Sequence, residues 1–450
     1  MSPRTVTARS STGTAAPAAE PGFPFRLDDV RARSAALGEP AWLLERRLQA
    51  WAAFERMPFP TVRDEAWRRT DLHAMPRASL ALGSAGAQPV EPELLQPLAS
   101  EMHGALLALT PGREPVREGG RDLARRDVIF TDWATAVREH PQVLERWLGK
   151  AVADDEGPFA ALAASLATDG VVVVVPAGVR VAQPLHSVLW APGSGRAFFS
   201  RLLVVVEDGA SVTFVHETAS PTEAAGHALH AGIVELVLGA GAQLTFVELQ
   251  TWGEHVWNIT HERSIVGRDG KLDWIFGAVG SQLTKNFSEL TLAGQGAEGR
   301  MSGFYFAGGT QHLDHDTQQN HLAPNTTSDL LFKGALVDRS RSVWQGMIYV
   351  APGAQKTDGY QANRNLLLSK QARADSIPGL EILADDVRCT HGATVGQLED
   401  EPIYYLMSRG LPRKEAERIV IDGFFAPIME RIPYEGVRAR FLRMIETKLK

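Results

Sequence analysis

Residues 169–178 read DGVVVVVPAG, and the fold turns on this stretch. Five consecutive β-branched side chains sit poorly in a helix, and the run is too short to cross a bilayer. Bounded by Gly170 before it and by Pro176 and Gly178 after it, it reads as a buried strand. A weak repeat extends from it toward the C-terminus. PAGVRVAQPL carries Gly178, EDGASVTFV carries Gly209, GAGAQLTFV carries Gly241 and RDGKLDWIF carries Gly270, at intervals of 31, 32 and 29 residues. Each unit puts a glycine turn before an alternating apolar run, as in LLVVVEDGASVTFV and IVELVLGAGAQLTFV. A period of this length, with short strands and no helical pattern, fits a solenoid of stacked coils. An antiparallel sandwich or jelly roll built from hairpins fits it equally well. GRMSGFYF, DLLFKGALV, SVWQGMIYV and NLLLS carry the β texture to about residue 398.

On either side the texture is helical. Residues 27–167 read as mainly helical: Leu44, Leu48 and Trp51 recur at helical spacing behind Pro40. DWATAVREHPQVLERWLGKAV places Val143, Leu144 and Trp147 compatibly, with Pro141 dividing it, and FAALAASLA follows. Downstream, EDEPIYYLMSRG ends at Gly410, and Pro412 opens RKEAERIVIDGFF, with Ala416, Ile419, Val420 and Phe424 expected on one face. Pro433 precedes a final basic helix running to Lys450. The expected division is a disordered tail (1–22), an N-terminal helical region (23–167), a β core (168–398) and a C-terminal helical region (399–450).

Composition narrows the function. The chain has 450 residues, 44% hydrophobic and 22% charged, as in ordinary globular proteins. Its net charge of −7 gives no global positive field, so neither nucleic acid nor an acidic membrane is an expected partner. Cys389 is the sole cysteine, which excludes an internal disulfide and any Cys-rich zinc or iron–sulfur site made by this chain alone. The opening MSPRTVTARSSTGTAAPAAEPG lacks the apolar core of a secretory signal, and Pro3, Gly13 and Pro17 break any amphipathic transit helix. A cytoplasmic location is expected. GRDGKL at 267–272 has the wrong spacing for a phosphate loop, no G-x-G-x-x-G stands between a strand and a helix, and G-x-S-x-G is absent.

Two clusters carry candidate chemistry. QHLDHDTQQNH contains His312, Asp314, His315, Asp316 and His321. On a strand, His312, Asp314 and Asp316 share one face and His315 the other, so that face offers a two-carboxylate, one-imidazole site for iron, zinc or manganese. The bland reading is a solvated strand face with Asn320, Asn325, Thr326 and Thr327 in turns or polar ladders. An enzymatic alternative, a metal- or acid-dependent β-helix enzyme such as a polysaccharide lyase, would use the same trio. In ADDVRCTHGATVGQL, an extended backbone puts Cys389 and His391 on one face with Cα atoms about 6.6–6.8 Å apart. Thiolate and imidazole both suit iron, but a cluster usually takes four protein ligands, so the others would come from another chain. A buried cysteine acting as a small hydrophobe is the competing reading.

HLDHDTQQNHLAPNTTSDLLFKGAL, QKTDGYQANRNLLLS, PGLEILADDVRCTHGATVGQL, YYLMSRGLPRKEA, the pair Phe424–Phe425 and, upstream, RDEAWRRTDL at 63–72 resemble the SufB/SufD family of iron–sulfur cluster assembly proteins. CTHGATVG points to the SufD branch, and the additional cysteines of the SufB branch are missing. The resemblance implies a right-handed parallel β-helix between helical regions, which decides for the solenoid over the sandwich. It further implies a non-enzymatic subunit that pairs with a SufB-like sister and binds the ABC-type ATPase SufC, where ATP hydrolysis occurs; a homodimer of the chain when alone is the alternative assembly, which the sequence leaves open. His391, with Cys389 as a weaker candidate, would contribute to a nascent cluster at the SufB–SufD junction and help iron enter it. The cluster or iron would be transient and shared with SufB, with no permanently bound cofactor. Helices carrying Tyr405, Leu406, Arg409 and Phe424 would form the SufC dock. For the His312–Asp316 cluster the resemblance implies no role.

Overall fold

The structure, a computed structural model, describes residues 22–83, 89–96, 104–432 and 434–448. The expected tail falls outside these residues apart from Gly22, as do Pro433, Leu449 and Lys450. The valine run forms the strand Asp169–Val175, which pairs in parallel with Arg196–Val206. Val171 lies beside Leu202, and Leu202 beside Val234 in the coil after that. The described chain winds through about 8 coils, each giving one strand to each of two parallel sheets. Sheet I contains Asp169–Val175, Arg196–Val206, Ala228–Leu238, Val256–Val266, Leu283–Leu292, His312–His321, Arg341–Val350 and Arg373–Ile382. Sheet II contains Leu185–Trp190, Ser211–Ala219, Gln243–Thr251, Lys271–Ala278, Glu298–Ala307, Thr327–Leu336, Asp358–Leu367 and Arg388–Gln397. The fold is a parallel β-helix flanked by helices.

The repeat glycines sit where one sheet turns into the other. Gly178, Gly209 and Gly241 have φ of 73°, 67° and 64°, and each amide donates to the turn of the next coil, at 2.8 Å in all three. In the fourth unit the left-handed position is Asp269 (φ 54°), not Gly270; aspartate tolerates this region better than most residues. The stacked turns form a ladder that holds coil to coil.

Alternate side chains of each strand point into or out of the solenoid. Inside lie Val171, Val173 and Val175 with Phe214, Phe246 and Trp274, the last three stacked coil on coil at centroid separations of 5.8 and 6.0 Å. Outside, Val172 and Val174 pack on Trp133, Ala136 and Leu144, so the valine run is apolar throughout because both its faces are buried. The N-terminal helices Leu27–Leu37, Ala41–Arg56 and Pro158–Leu166 cover the outer face of sheet I through Val30, Trp51, Phe159 and Leu162. The C-terminal helices Arg413–Met429 and Glu435–Lys448 cover sheet II through Ile421, Phe425, Ile428, Phe441 and Ile445. Burial of each such large side chain contributes about 1.5–3 kcal/mol.

Two sequence expectations need correction. The stretch 27–167 also contains strands: Ala105–Leu109 pairs in parallel with Leu185–Trp190, Val116–Gly119 pairs antiparallel to Ala105–Leu109, and Ile129–Asp132 pairs antiparallel to Asp169–Val175. ALLAL is buried on both faces and has no polar alternation to mark it as a strand. The face of helix Arg413–Met429 is also displaced: Ala416, Ile421, Phe425, Ile428 and Met429 are buried, whereas Ile419 is exposed. The helix covers the sheet with its C-terminal half only. Helix Asp400–Ser408 does end as expected, with Gly410 at φ 95° and the Leu411 amide donating to the Leu406 carbonyl at 3.3 Å. No helix among the described residues is long and apolar enough to cross a membrane.

Candidate functional site

Strand Arg388–Gln397 is the last of sheet II and Arg373–Ile382 the last of sheet I. Among the described residues neither has an outer neighbour, so each presents a row of unpaired backbone groups. Cys389 and His391 lie on this rim. In register, Cys389 sits beside Gly359 and His391 beside Gln361. Because Gly359 has no Cβ, the Cys389 sulfur settles over it, 3.2 Å from where a Cβ would stand, against Ile348. Burial pushes the thiol further up from its ordinary range, so it is protonated and a poor ligand in the isolated chain. His391 is exposed. Together they offer two ligating atoms, and among the described residues no three His, Cys, Asp or Glu side chains gather as a metal-binding group.

The His312–Asp316 segment is the strand His312–His321, with the two faces the spacing predicts. His315 points inward, with its ring 5.3 Å from Tyr305 and 5.0 Å from Phe276. His312 and Asp314 point outward, but they do not build the expected metal trio with Asp316. Asp314 pairs with Lys285 at 3.0 Å, both fully buried. Thr70, from the RDEAWRRTDL segment, donates its hydroxyl proton to the second Asp314 oxygen. Having spent that proton, Thr70 accepts from His312 Nε2 at 2.8 Å. Burial holds His312 down to about 4, so the ring is neutral near pH 7. The chain His312–Thr70–Asp314–Lys285 thus clasps the N-terminal segment to coils five and six. Asp316, pushed up to about 6 by burial, stays outside the clasp. The cation in contact with Asp314 is the Lys285 ammonium.

Of the expected dock residues, Tyr405 is exposed and Arg409 lies with its guanidinium 5.2 Å from the Tyr405 ring. Leu406 is half-buried. Phe424 is engaged internally, packed on Phe425 with Lys333 over its ring at 4.8 Å. Tyr404 and Met407, which the sequence reading passed over, add exposed apolar surface to the same helix. That reading also missed Thr70 and Lys285, whose partners lie more than 200 residues away in one case and one coil away in the other. Lys285 falls at an outward strand position within an ordinary LTKNFSEL run, and only its register with Asp314 gives it meaning.

Comparison with known proteins gives two family matches. Residues 32–186 match the SufBD protein N-terminal region, and residues 189–424 match the SufBD core domain of the SUF system for FeS cluster assembly. The iron–sulfur cluster assembly protein SufD of Bacillus subtilis is 32% identical over 423 residues, covering 92% of this chain and 95% of that protein. The iron–sulfur cluster assembly protein SufB of the same organism is 27% identical over 415 residues, covering 88% and 87%. A SufBD family protein of Staphylococcus epidermidis is likewise 27% identical over 415 residues, covering 88% and 87%.

Proposed function

The chain belongs to the SufBD family of iron–sulfur cluster assembly proteins, and from that footing we propose that it is a SufD-type, non-catalytic subunit of a cluster-building complex. The observation that carries this reading is the asymmetry of the solenoid ends. At the first coil the chain closes both sheets with its own antiparallel strands, Ile129–Asp132 and Val116–Gly119. At the last coil, among the described residues, neither edge has a further strand, and Leu380, Ile382 and Val395 of the two terminal strands are exposed. An open parallel edge with apolar side chains suits strand-to-strand pairing with a related solenoid, a SufB-like sister in the cell or a second copy when the chain is alone.

In this reading the nascent cluster is cargo of the junction. His391 supplies an imidazole, and the sister supplies the ligands that this chain lacks. Cys389 joins only when pairing with the sister changes the packing that keeps its thiol protonated. No resident cofactor is needed. Tyr405, Leu406 and Arg409, with Tyr404 and Met407, form the dock for a SufC-like ATPase, and Phe424 anchors that helical hairpin to Lys333. The complex works in the cytoplasm.

The test is anaerobic reconstitution of the chain with SufB-type and SufC-type partners. His391→Ala should leave the three-protein complex intact and lower cluster formation by about tenfold or more, as loss of a ligand does. Undiminished cluster formation in an intact complex would remove His391 from the function.

A further inference from the structure

The solenoid interior changes character along its axis. In the early coils, rings such as Phe214, Phe246 and Trp274 fill the gap between the sheets. Near the open end the gap is crossed by amides. Strand Asp358–Leu367 turns Gln361, Asn363 and Asn365 inward, all buried. Gln361 Nε2 donates to the Gly379 carbonyl of the opposite terminal strand at 2.8 Å. Asn365 Nδ2 donates to Ser376 Oγ of that strand at 3.0 Å, and Ser376 Oγ donates to Asn363 Oδ1 at 2.5 Å. The Tyr305 hydroxyl holds Asn365 Oδ1 from behind at 2.5 Å. A Cβ on Gly346 would run into the Trp344 ring and lie 2.5 Å from Gln361 Oε1, so a glycine there makes room for both the indole and the crossing amide.

These bonds attach the terminal strand of sheet I to sheet II across the interior, a second attachment beyond its single in-sheet neighbour. The rim residues lie on the neighbouring strand Arg388–Gln397, with His391 in register with Gln361 and Cys389 with Gly359. Ile348, the wall of the Cys389 hollow, belongs to sheet I. The distance between the sheets at this end therefore sets how deeply Cys389 sits and how far His391 stands from the opposite edge. Apolar packing tolerates small slides, whereas directed hydrogen bonds between buried groups penalise them.

We propose that Gln361, Asn363 and Asn365 form a clamp that positions Cys389 and His391. They act through the strands, and their importance to assembly rests on the function proposed above. The clamp itself can be read separately, because Cys389 is the only cysteine and its reaction with a pyridyl disulfide reports on this end alone.

In the full-length chain, Gln361→Glu replaces the donor to Gly379 by a carboxylate that repels that carbonyl. Cys389 should then react about fivefold faster than in the parent near pH 8, as expected for losing one net hydrogen bond from a local opening equilibrium. As pH falls through the range of the introduced carboxyl, the protonated acid donates again and the ratio of variant to parent should return toward one. Cys389, His391, Tyr305 and His315 face the same interior, so the uncharged variant Ser376→Ala is the control for what the introduced charge does to them. Ser376→Ala, which breaks the clamp from the other sheet without adding charge, should also accelerate the reaction, with no such return. Parent-like rates in both variants would overturn the clamp. So would acceleration of Gln361→Glu that is equal at every pH and parallels a fall in the melting midpoint. In the reconstituted complex, slower cluster formation by Gln361→Glu supports positioning of the site. Faster thiol reaction with unchanged cluster formation keeps the clamp as geometry and refutes the terminal site's part in assembly.

Discussion

Lys285→Met is the most exacting test of the clasp. Lys285 and Asp314 are both fully buried and stand 3.0 Å apart. Methionine keeps the length and most of the volume, so little cavity is added. What changes is charge: Asp314 is left with the Thr70 hydroxyl as a neutral donor and no cation in contact. Leaving one member of a buried ion pair uncompensated costs about 3–5 kcal/mol. At about 1.36 kcal/mol per factor of ten, that is a rise of more than two orders of magnitude in local opening. A solenoid unfolds in parts, so the assay is amide hydrogen exchange over strands 283–292 and 312–321 and segment 61–82. The double variant Lys285→Met/Asp314→Leu, with both charges gone, should recover most of the loss. A single variant within about 1 kcal/mol of the parent, or a double variant no more stable than the single, would refute the clasp as an electrostatic device.

Acid should weaken the fold. Burial holds His216, His261 and His315 down to about 3 and His230, His312 and His321 down to about 4, against 6.5 in the unfolded chain. Unfolding therefore takes up protons below pH 6.5, so stability is present above that value and falls by up to about 1.4 kcal/mol per pH unit per histidine. Asp316, pushed up to about 6, and Glu156, Asp169, Glu248, Glu262 and Asp422, also raised by burial, work the other way by keeping a proton when folded, and they offset part of the histidine effect. The urea midpoint should drop steeply between pH 6.5 and 4.5, and a flat profile would contradict the neutral buried histidines. Gly359→Ala would bring a Cβ 3.2 Å from the Cys389 sulfur and should push it outward, raising its alkylation rate about threefold at a cost within about 1 kcal/mol; an unchanged rate would show that the hollow does not hold the thiol. Tyr405→Ala, at a side chain 57% exposed, should leave the melting midpoint in place and weaken ATPase binding about tenfold in titration calorimetry. Unaltered affinity would move the dock elsewhere.

The strands and corners of the core were legible because their signal is local, whereas the choice of a solenoid over a sandwich came from the family resemblance. A valine run buried on both faces, and glycines recurring at the left-handed corner, follow from the conformational freedom of single residues. Where another residue type can fill the corner, as Asp269 does, the signal shifts by one position without breaking the repeat. The short strands of the N-terminal region were not legible, since ALLAL has no alternation to distinguish it from a helical segment, and only its neighbour Leu185–Trp190 makes it a strand. The two candidate clusters divide on the same principle. Alternation along a strand places Cys389 with His391 and separates His315 from Asp314. It does not tell a metal-binding face from a clasp, because that depends on Thr70 and Lys285 meeting Asp314 from a distant segment and a neighbouring coil.

Why the candidate ligands stand at the end of the stack follows from how solenoids hold together. Each coil is stabilised mainly by its two neighbours, so a terminal coil has half the support of an internal one. Displaying ligands there gives access to a second chain but puts them where the strands would otherwise be loosest. The first-coil end meets this problem with antiparallel strands of its own, which cover the edge and forbid pairing. The last-coil end cannot use that remedy and keep its edge open. Attaching the terminal strand through the interior, by Gln361 to Gly379 and Asn365 to Ser376, steadies it without occupying a single backbone group of the outer edge. On the proposed function, an interior clamp is the arrangement that serves both requirements, a rim firm enough to position His391 and free enough to accept a sister solenoid.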